Sequence, residues 1–144
     1  MRYTFSVARQ FAGEVERMDA KQQDRLGDFL DIYEEFGLGN QTVYPGRLSP
    51  SWHNLPTNHS SYIFTTKHSL WHYHCGYPEY EGSKPWGNTS DWLIHFQWVK
   101  DSSHIDVVDM YQHHTFNRSF YLPAADRLVD FSQDVPSQNS EESL

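Results

Sequence analysis

Nine histidines fall between His53 and His114, and none lies elsewhere in the chain. His72 and His74 flank Tyr73, His95 follows 21 residues after His74, and His113 and His114 stand together. The imidazole pKa of about 6.5 lets histidine exchange protons near neutral pH. Two chemistries use such a cluster. Cleaving a phosphate ester by proton transfer needs a base and an acid on opposite sides of the reacting group, and a pair of imidazoles supplies both. Neutral imidazoles with a carboxylate also suit a transition-metal centre.

Strands must position these groups. In Leu70 to Tyr77 alternate side chains share a face, so Leu70, His72 and His74 point one way and Trp71, Tyr73 and Cys75 the other. Trp92 to Val99 carries His95, Lys100 to His104 turns, and Ile105 to Tyr111 returns as the second arm of an antiparallel hairpin. His113 stands just past the end of that arm. Upstream, Tyr3 to Val7 alternates as a short strand. From Gly13 the period becomes helical, with Val15, Met18, Leu26, Phe29, Leu30, Ile32, Tyr33 and Phe36 on the apolar side. This reads as one long helix or two joined near Ala20, closed by a left-handed cap at Gly37. Gly39 to Lys67 is rich in turns, with Tyr62-Ile63-Phe64 as a short strand inside it, and Pro78 to Ser90 is a loop. Pro123 to Val129 is expected as a short final helix. The fold class is α+β: an N-terminal strand and helical segment packed on a small, mostly antiparallel, twisted sheet.

At 144 residues the chain suffices for one domain. Residues 1–129 are expected to form it, and 130–144, rich in Ser, Gln and acids, to be a disordered acidic tail. Aromatics make up 16% of the chain against 38% hydrophobic residues in all, which implies a core built from few, large rings. A single cysteine, Cys75, excludes an internal disulfide. Without a signal-like start or a stretch of about 20 apolar residues, the expected location is the cytoplasm. The net charge of −8 is unevenly spread. Eight acids and three bases lie between Ala12 and Phe36, whereas Gly37 to Val129 carries seven acids and six bases. Free nucleic-acid binders are usually basic, so any RNA handled here needs presentation by a partner.

Three segments resemble the RelE/ParE superfamily of bacterial toxins. These are Tyr3-Thr4-Phe5 through Phe29-Leu30-Asp31-Ile32-Tyr33-Glu34-Glu35-Phe36-Gly37, then Leu70-Trp71-His72-Tyr73-His74, and then Ser90-Asp91-Trp92-Leu93-Ile94-His95 with Asp109-Met110-Tyr111-Gln112-His113-His114-Thr115-Phe116. The last pieces are similar to the Asp-Trp strand start and the histidine-then-phenylalanine strand end of YafQ-type members. The resemblance spans roughly residues 3 to 120. It implies a RelE-like domain that cuts messenger RNA, commonly on the ribosome, under the control of a cognate antitoxin, with no small-molecule cofactor and no metal. By position His113 matches the strand-end histidine and Asp91 the aspartate. Gly87 stands at the spacing of the other histidine, whose role would pass to His53, His72 or His74.

The candidate catalytic set is His113, His72, His74 and Asp91, with His95 and His114 beside them. Arg118 and Lys84 are candidates for phosphate contacts, and Tyr73, Trp92 and Tyr111, along with Trp86, for stacking on a base. His59, His68 and His104 read as structural. Two other functions compete. His72-x-His74 followed by Glu79 resembles the first metal motif of cupins, and His113-x-x-x-Asn117 their second. A ParE-like chain would instead inhibit a protein target such as gyrase without catalysis.

Overall fold

Asp19 starts the second helix, three residues past the Glu16 that caps the first. The Asp19 carboxylate accepts the Gln22 N–H at 2.7 Å, and the Gln22 side chain accepts the Asp19 N–H at 3.0 Å, a reciprocal cap. The helical stretch is therefore two helices, α1 (Arg9–Val15) and α2 (Ala20–Phe36). Gly37 closes α2 at φ +66°, where a side chain would run into the Tyr3 ring. These features belong to a computed structural model in which residues 2–113 and 121–131 are described. The proposed tail lies almost wholly outside the described residues, as do His114, Asn117 and Arg118.

Five strands form one sheet: β1 (Thr4–Val7), β2 (Leu48–Pro50), β3 (Leu70–His74), β4 (Trp92–Gln97) and β5 (His104–Gln112). Their spatial order is β1-β5-β4-β3-β2, with β1 parallel to β5 and every other pair antiparallel. The class is α+β and the sheet mixed but mostly antiparallel, as the sequence implies. Among the described residues no helix is long and apolar enough to cross a membrane.

Two local expectations fail. Tyr62-Ile63-Phe64 is not a strand but lies inside α3 (Ser60–Lys67). The His59 ring accepts the Ser61 N–H at 3.0 Å, and Thr65 and Thr66 hydroxyls donate to the Ser61 and Tyr62 carbonyls at 2.7 and 2.8 Å. These local bonds outweigh the β-preference of Tyr-Ile-Phe. Pro123 to Val129 holds only a 3₁₀ turn at Ala125–Arg127. The chain then extends because the Gln97 side chain takes both the Val129 N–H and its carbonyl, each at 2.9 Å.

The sheet has two unlike faces. Tyr73, Ile94, Phe96, Ile105, Val107 and Met110 face the helices and pack with Phe11, Leu26, Phe29 and Tyr33. Phe29 stacks on Tyr73 with ring centres 4.8 Å apart and also meets Tyr44 and Phe96. The opposite face carries His72 opposite His95, and His95 opposite Asp109. A bulge follows at once: Phe96 pairs with Val107, leaving Val108 extra. Without it Val107 and Asp109, two residues apart, would share a face. The bulge lets one be core and the other join the histidines.

Candidate active site

Gly46 brings the first cation to the histidines. Its lack of a side chain allows the backbone to pass against the His74 carbonyl, where any Cβ would collide. The His74 N–H then donates to the Arg47 carbonyl at 3.0 Å, and the Arg47 N–H donates to the Asn88 carbonyl at 3.0 Å. Arg47, exposed at its side chain, is thus held beside β3 from two directions. β2 continues alongside, with Ser49 opposite His72.

A cavity of about 640 Å³ opens here. Its walls carry Arg47, three serines (Ser49, Ser51, Ser61) and five histidines (His53, His59, His72, His74, His113), and no carboxylate among the described residues. In a chain with 19 acids and 11 bases that composition is selective. His74 and His113 lie with rings 5.7 Å apart and 24° from parallel, and His72 is 5.7 Å from His74 and 6.5 Å from His113.

Each histidine is held by a neighbour, two through the ring and one through the backbone. The His72 Nδ1 meets the Ser51 hydroxyl at 2.9 Å. The His74 Nδ1 lies 3.0 Å from the Ser90 N–H and 2.8 Å from the Ser90 carbonyl, so one backbone unit engages that nitrogen in either tautomer. The His113 N–H donates to the Asp91 carbonyl at 2.6 Å, and its own carbonyl accepts from the Tyr121 N–H at 3.1 Å. Burial pushes the His72 pKa well below the ordinary imidazole value, with further lowering by the neighbouring histidines. His74 is also lowered, chiefly by burial and partly by the Arg47 charge. Both are neutral at pH 7.

The other sequence candidates divide. His95 lies under the site rather than in it: it is 0% exposed, 6.0 Å from His72 and 5.5 Å from the Tyr121 ring. Neither of its ring nitrogens has a partner among the described residues, and burial pushes its pKa down to about 3. It cannot touch a substrate from there. Beside it, Asp109 is pushed up to about 6 by burial, against a hydrogen bond from the Tyr121 hydroxyl. Asp91 is exposed and reaches His113 through the backbone, so its carboxylate is not what orients that residue. Tyr73 is 2% exposed on the core face, its hydroxyl accepting the Gly46 N–H at 3.0 Å, and cannot stack on a base. Trp92 and Tyr111 lie 5.9 Å apart and line a separate cavity with Tyr121. Lys84 borders a cavity adjoining the histidine one.

Sequence reasoning missed Arg47, Ser51 and the rim position of His59, whose ring nonetheless has the capping role given above. Glu79 of the metal reading is exposed, and among the described residues no three His, Cys, Asp or Glu side chains converge to hold a metal ion. The chain matches no protein-family model, no curated protein and no solved structure.

Proposed function

We propose that this chain is a RelE-like ribonuclease toxin that cuts messenger RNA on the ribosome by metal-independent acid–base catalysis, and that an antitoxin holds it inactive in the cytoplasm. The observation that carries this reading is the carboxylate-free cavity in which His72, His74 and His113 stand beside Arg47. A phosphodiester is the ligand such walls favour, because it needs a cation for its charge, donors for its oxygens and titratable groups for the two proton transfers. The element order supports the reading, as a strand and helical segment precede the antiparallel strands that carry the histidines.

The chemistry follows from the environments. His74, kept neutral by burial and by Arg47, takes the proton of the 2′-hydroxyl. The 2′-oxygen attacks phosphorus and the bond to the 5′-oxygen breaks. His113 donates a proton to that leaving oxygen, giving a 2′,3′-cyclic phosphate and a free 5′-hydroxyl. Arg47 meets the charge that builds on the equatorial oxygens, where a fixed donor is worth most. His72, more deeply lowered than its neighbour and bonded to Ser51, lines the floor as a neutral ring. The acid excess of the whole chain opposes binding of free RNA, so the ribosome supplies the local concentration.

Induced expression in bacteria, read by growth and by mapping messenger-RNA 5′ ends, tests this. Growth arrest with new in-frame cuts, both absent with His113→Ala, supports it. Arrest without new RNA ends would replace it with inhibition of a protein target.

A further inference from the structure

The histidine cavity has a neighbour of about 420 Å³ that shares four of its walls, Arg47, Ser49, Pro50 and His53. Beyond that shared wall it is bordered by Lys84 and Trp86, and it too has no carboxylate among the described residues. Two cavities elsewhere on the molecule differ. The one at β1 and β5 includes Asp106 and Asp126, and the one at Trp92 includes Glu14 and Asp109. The two carboxylate-free cavities are thus contiguous, with Arg47 at their boundary.

The loop that brings Lys84 and Trp86 here is tied down. The buried Asn88 side chain accepts the Lys84 N–H at 3.0 Å and donates to the Lys84 and Pro45 carbonyls at 2.8 and 2.9 Å. Asn88 also pairs with Gly46 across an isolated bridge, and the Gly87 N–H reaches the Tyr44 carbonyl at 3.4 Å. Trp86 is nonetheless 45% exposed on this anchored loop. A large ring left half in water beside a cation is a surface for a flat partner.

We infer that this second cavity is a nucleotide subsite: Trp86 stacks on the base next to the scissile bond, Lys84 pairs with that nucleotide's phosphate, and Arg47 sits between the two phosphates. The inference rests on the ribonuclease reading for what occupies the first cavity. It extends that reading by naming the residues that hold a second nucleotide. Indole stacking accepts any base, and so the subsite adds affinity and register more than sequence choice. Lys84 acts as a point charge on the phosphate.

The test compares two ligands by following the Trp86 indole N–H signal in NMR titrations of the full chain. One is a 2′-O-methyl RNA trinucleotide of mixed sequence, which cannot be cut; the other is a mixture of nucleoside 3′-monophosphates. The trinucleotide should bind at least about 10-fold more tightly, the worth of one base stacked on an aromatic ring. Read from the remaining amide signals, that advantage should fall to about 2-fold or less in Trp86→Ala and Lys84→Ala and largely survive in Trp86→Phe. Both side chains are exposed, so these variants should fold. No binding, equal binding of the two ligands, or an advantage that persists in both alanine variants overturns the subsite. Messenger cleavage in cells without a trinucleotide advantage removes the subsite and leaves the nuclease. An advantage dependent on Trp86 and Lys84 in a protein that cuts no message keeps the subsite and removes the nuclease.

Discussion

His74 and His95 stand on adjacent strands of the same sheet face, yet their surroundings differ in every respect that decides whether an imidazole can act. His74 borders a cavity, has one nitrogen held by the Ser90 backbone, and lies within the influence of Arg47. His95 is sealed beneath Tyr121, with both nitrogens unpartnered among the described residues. One period-two pattern made both. The difference comes from what returns over the strand: β2 and the start of α3 stand back from the open end, whereas the segment around Tyr121 and Val129 closes the other. A histidine-rich face is therefore not a site throughout. It is a site where the covering chain leaves room, and a buried polar layer where it does not.

The largest break in this comparison should come at the open end. His113→Ala should lower messenger cleavage by roughly 10²–10⁴-fold, the usual worth of a general acid or base, while circular dichroism and the urea midpoint stay near wild type. A folded variant with full activity would assign the acid to another group. Arg47→Ala comes next, with a loss of roughly 10²–10³-fold, comparable to removing one fixed donor from a site of developing negative charge. Arg47→Lys should recover only part of it, because a lysine cannot present two parallel donors. Full rescue by lysine would show that charge alone matters there. The pH profile sharpens the same point. His74 works as a neutral base and its pKa is lowered. The acid limb of single-turnover cleavage should therefore fall below pH 6.5, the free imidazole value.

How much of this was legible in the chain depends on how local each cause is. α2, β3, β4 and β5 were readable from period and from Gly37, because alternation and capping act within a few residues. That His72 and His74 share a face followed from spacing alone, and the same rule put Tyr73 on the opposite one. β2 and Arg47 were hidden in a turn-rich segment, since their placement depends on Gly46 meeting the His74 backbone 28 residues away in sequence. α3 was masked by a strand-like triplet whose competitors are side-chain bonds from His59 and two threonines. The depth of His95 could not be read either. Periodicity gives the face a residue points to, and only the non-local return of Tyr121 and Val129 decides whether that face is covered.

The sealed end should answer to stability instead of rate. Tyr121→Phe removes the one hydrogen bond that the Asp109 carboxyl makes to a side chain among the described residues. Leaving a buried acceptor unmet costs about 1–3 kcal/mol, and a loss of unfolding free energy of that size, read from urea titration, is expected at pH 7. Cleavage should change little once the protein is kept well below the unfolding range. A variant as stable as wild type would mean that Asp109 is satisfied from elsewhere.

The smallest effect at neutral pH, and the most specific, belongs to His95→Leu. Replacing a buried imidazole that lacks hydrogen-bond partners among the described residues by an apolar side chain of similar size should leave stability at pH 7 unchanged or slightly raised. Acid separates the two proteins. The His95 pKa is about 3 in the folded chain against 6.5 unfolded, so between those values the unfolded state binds the extra proton and stability falls as pH falls below 6.5. Asp109 acts in the opposite sense. Raised from 3.8 to about 6, it binds its proton first in the folded state and opposes the loss between pH 6 and 4. Over that window the two nearly cancel, and the lowered values of His72 and His74 set the net acid sensitivity of the wild type. Without His95 the Asp109 contribution offsets part of the loss from His72 and His74 instead. Urea midpoints taken from pH 7 to pH 4 should then decline less steeply, by about one proton or roughly 1.4 kcal/mol per pH unit. An identical slope in the two proteins would mean that His95 takes up its proton while folded, which a sealed imidazole between Tyr121 and His72 cannot do without opening that end of the sheet.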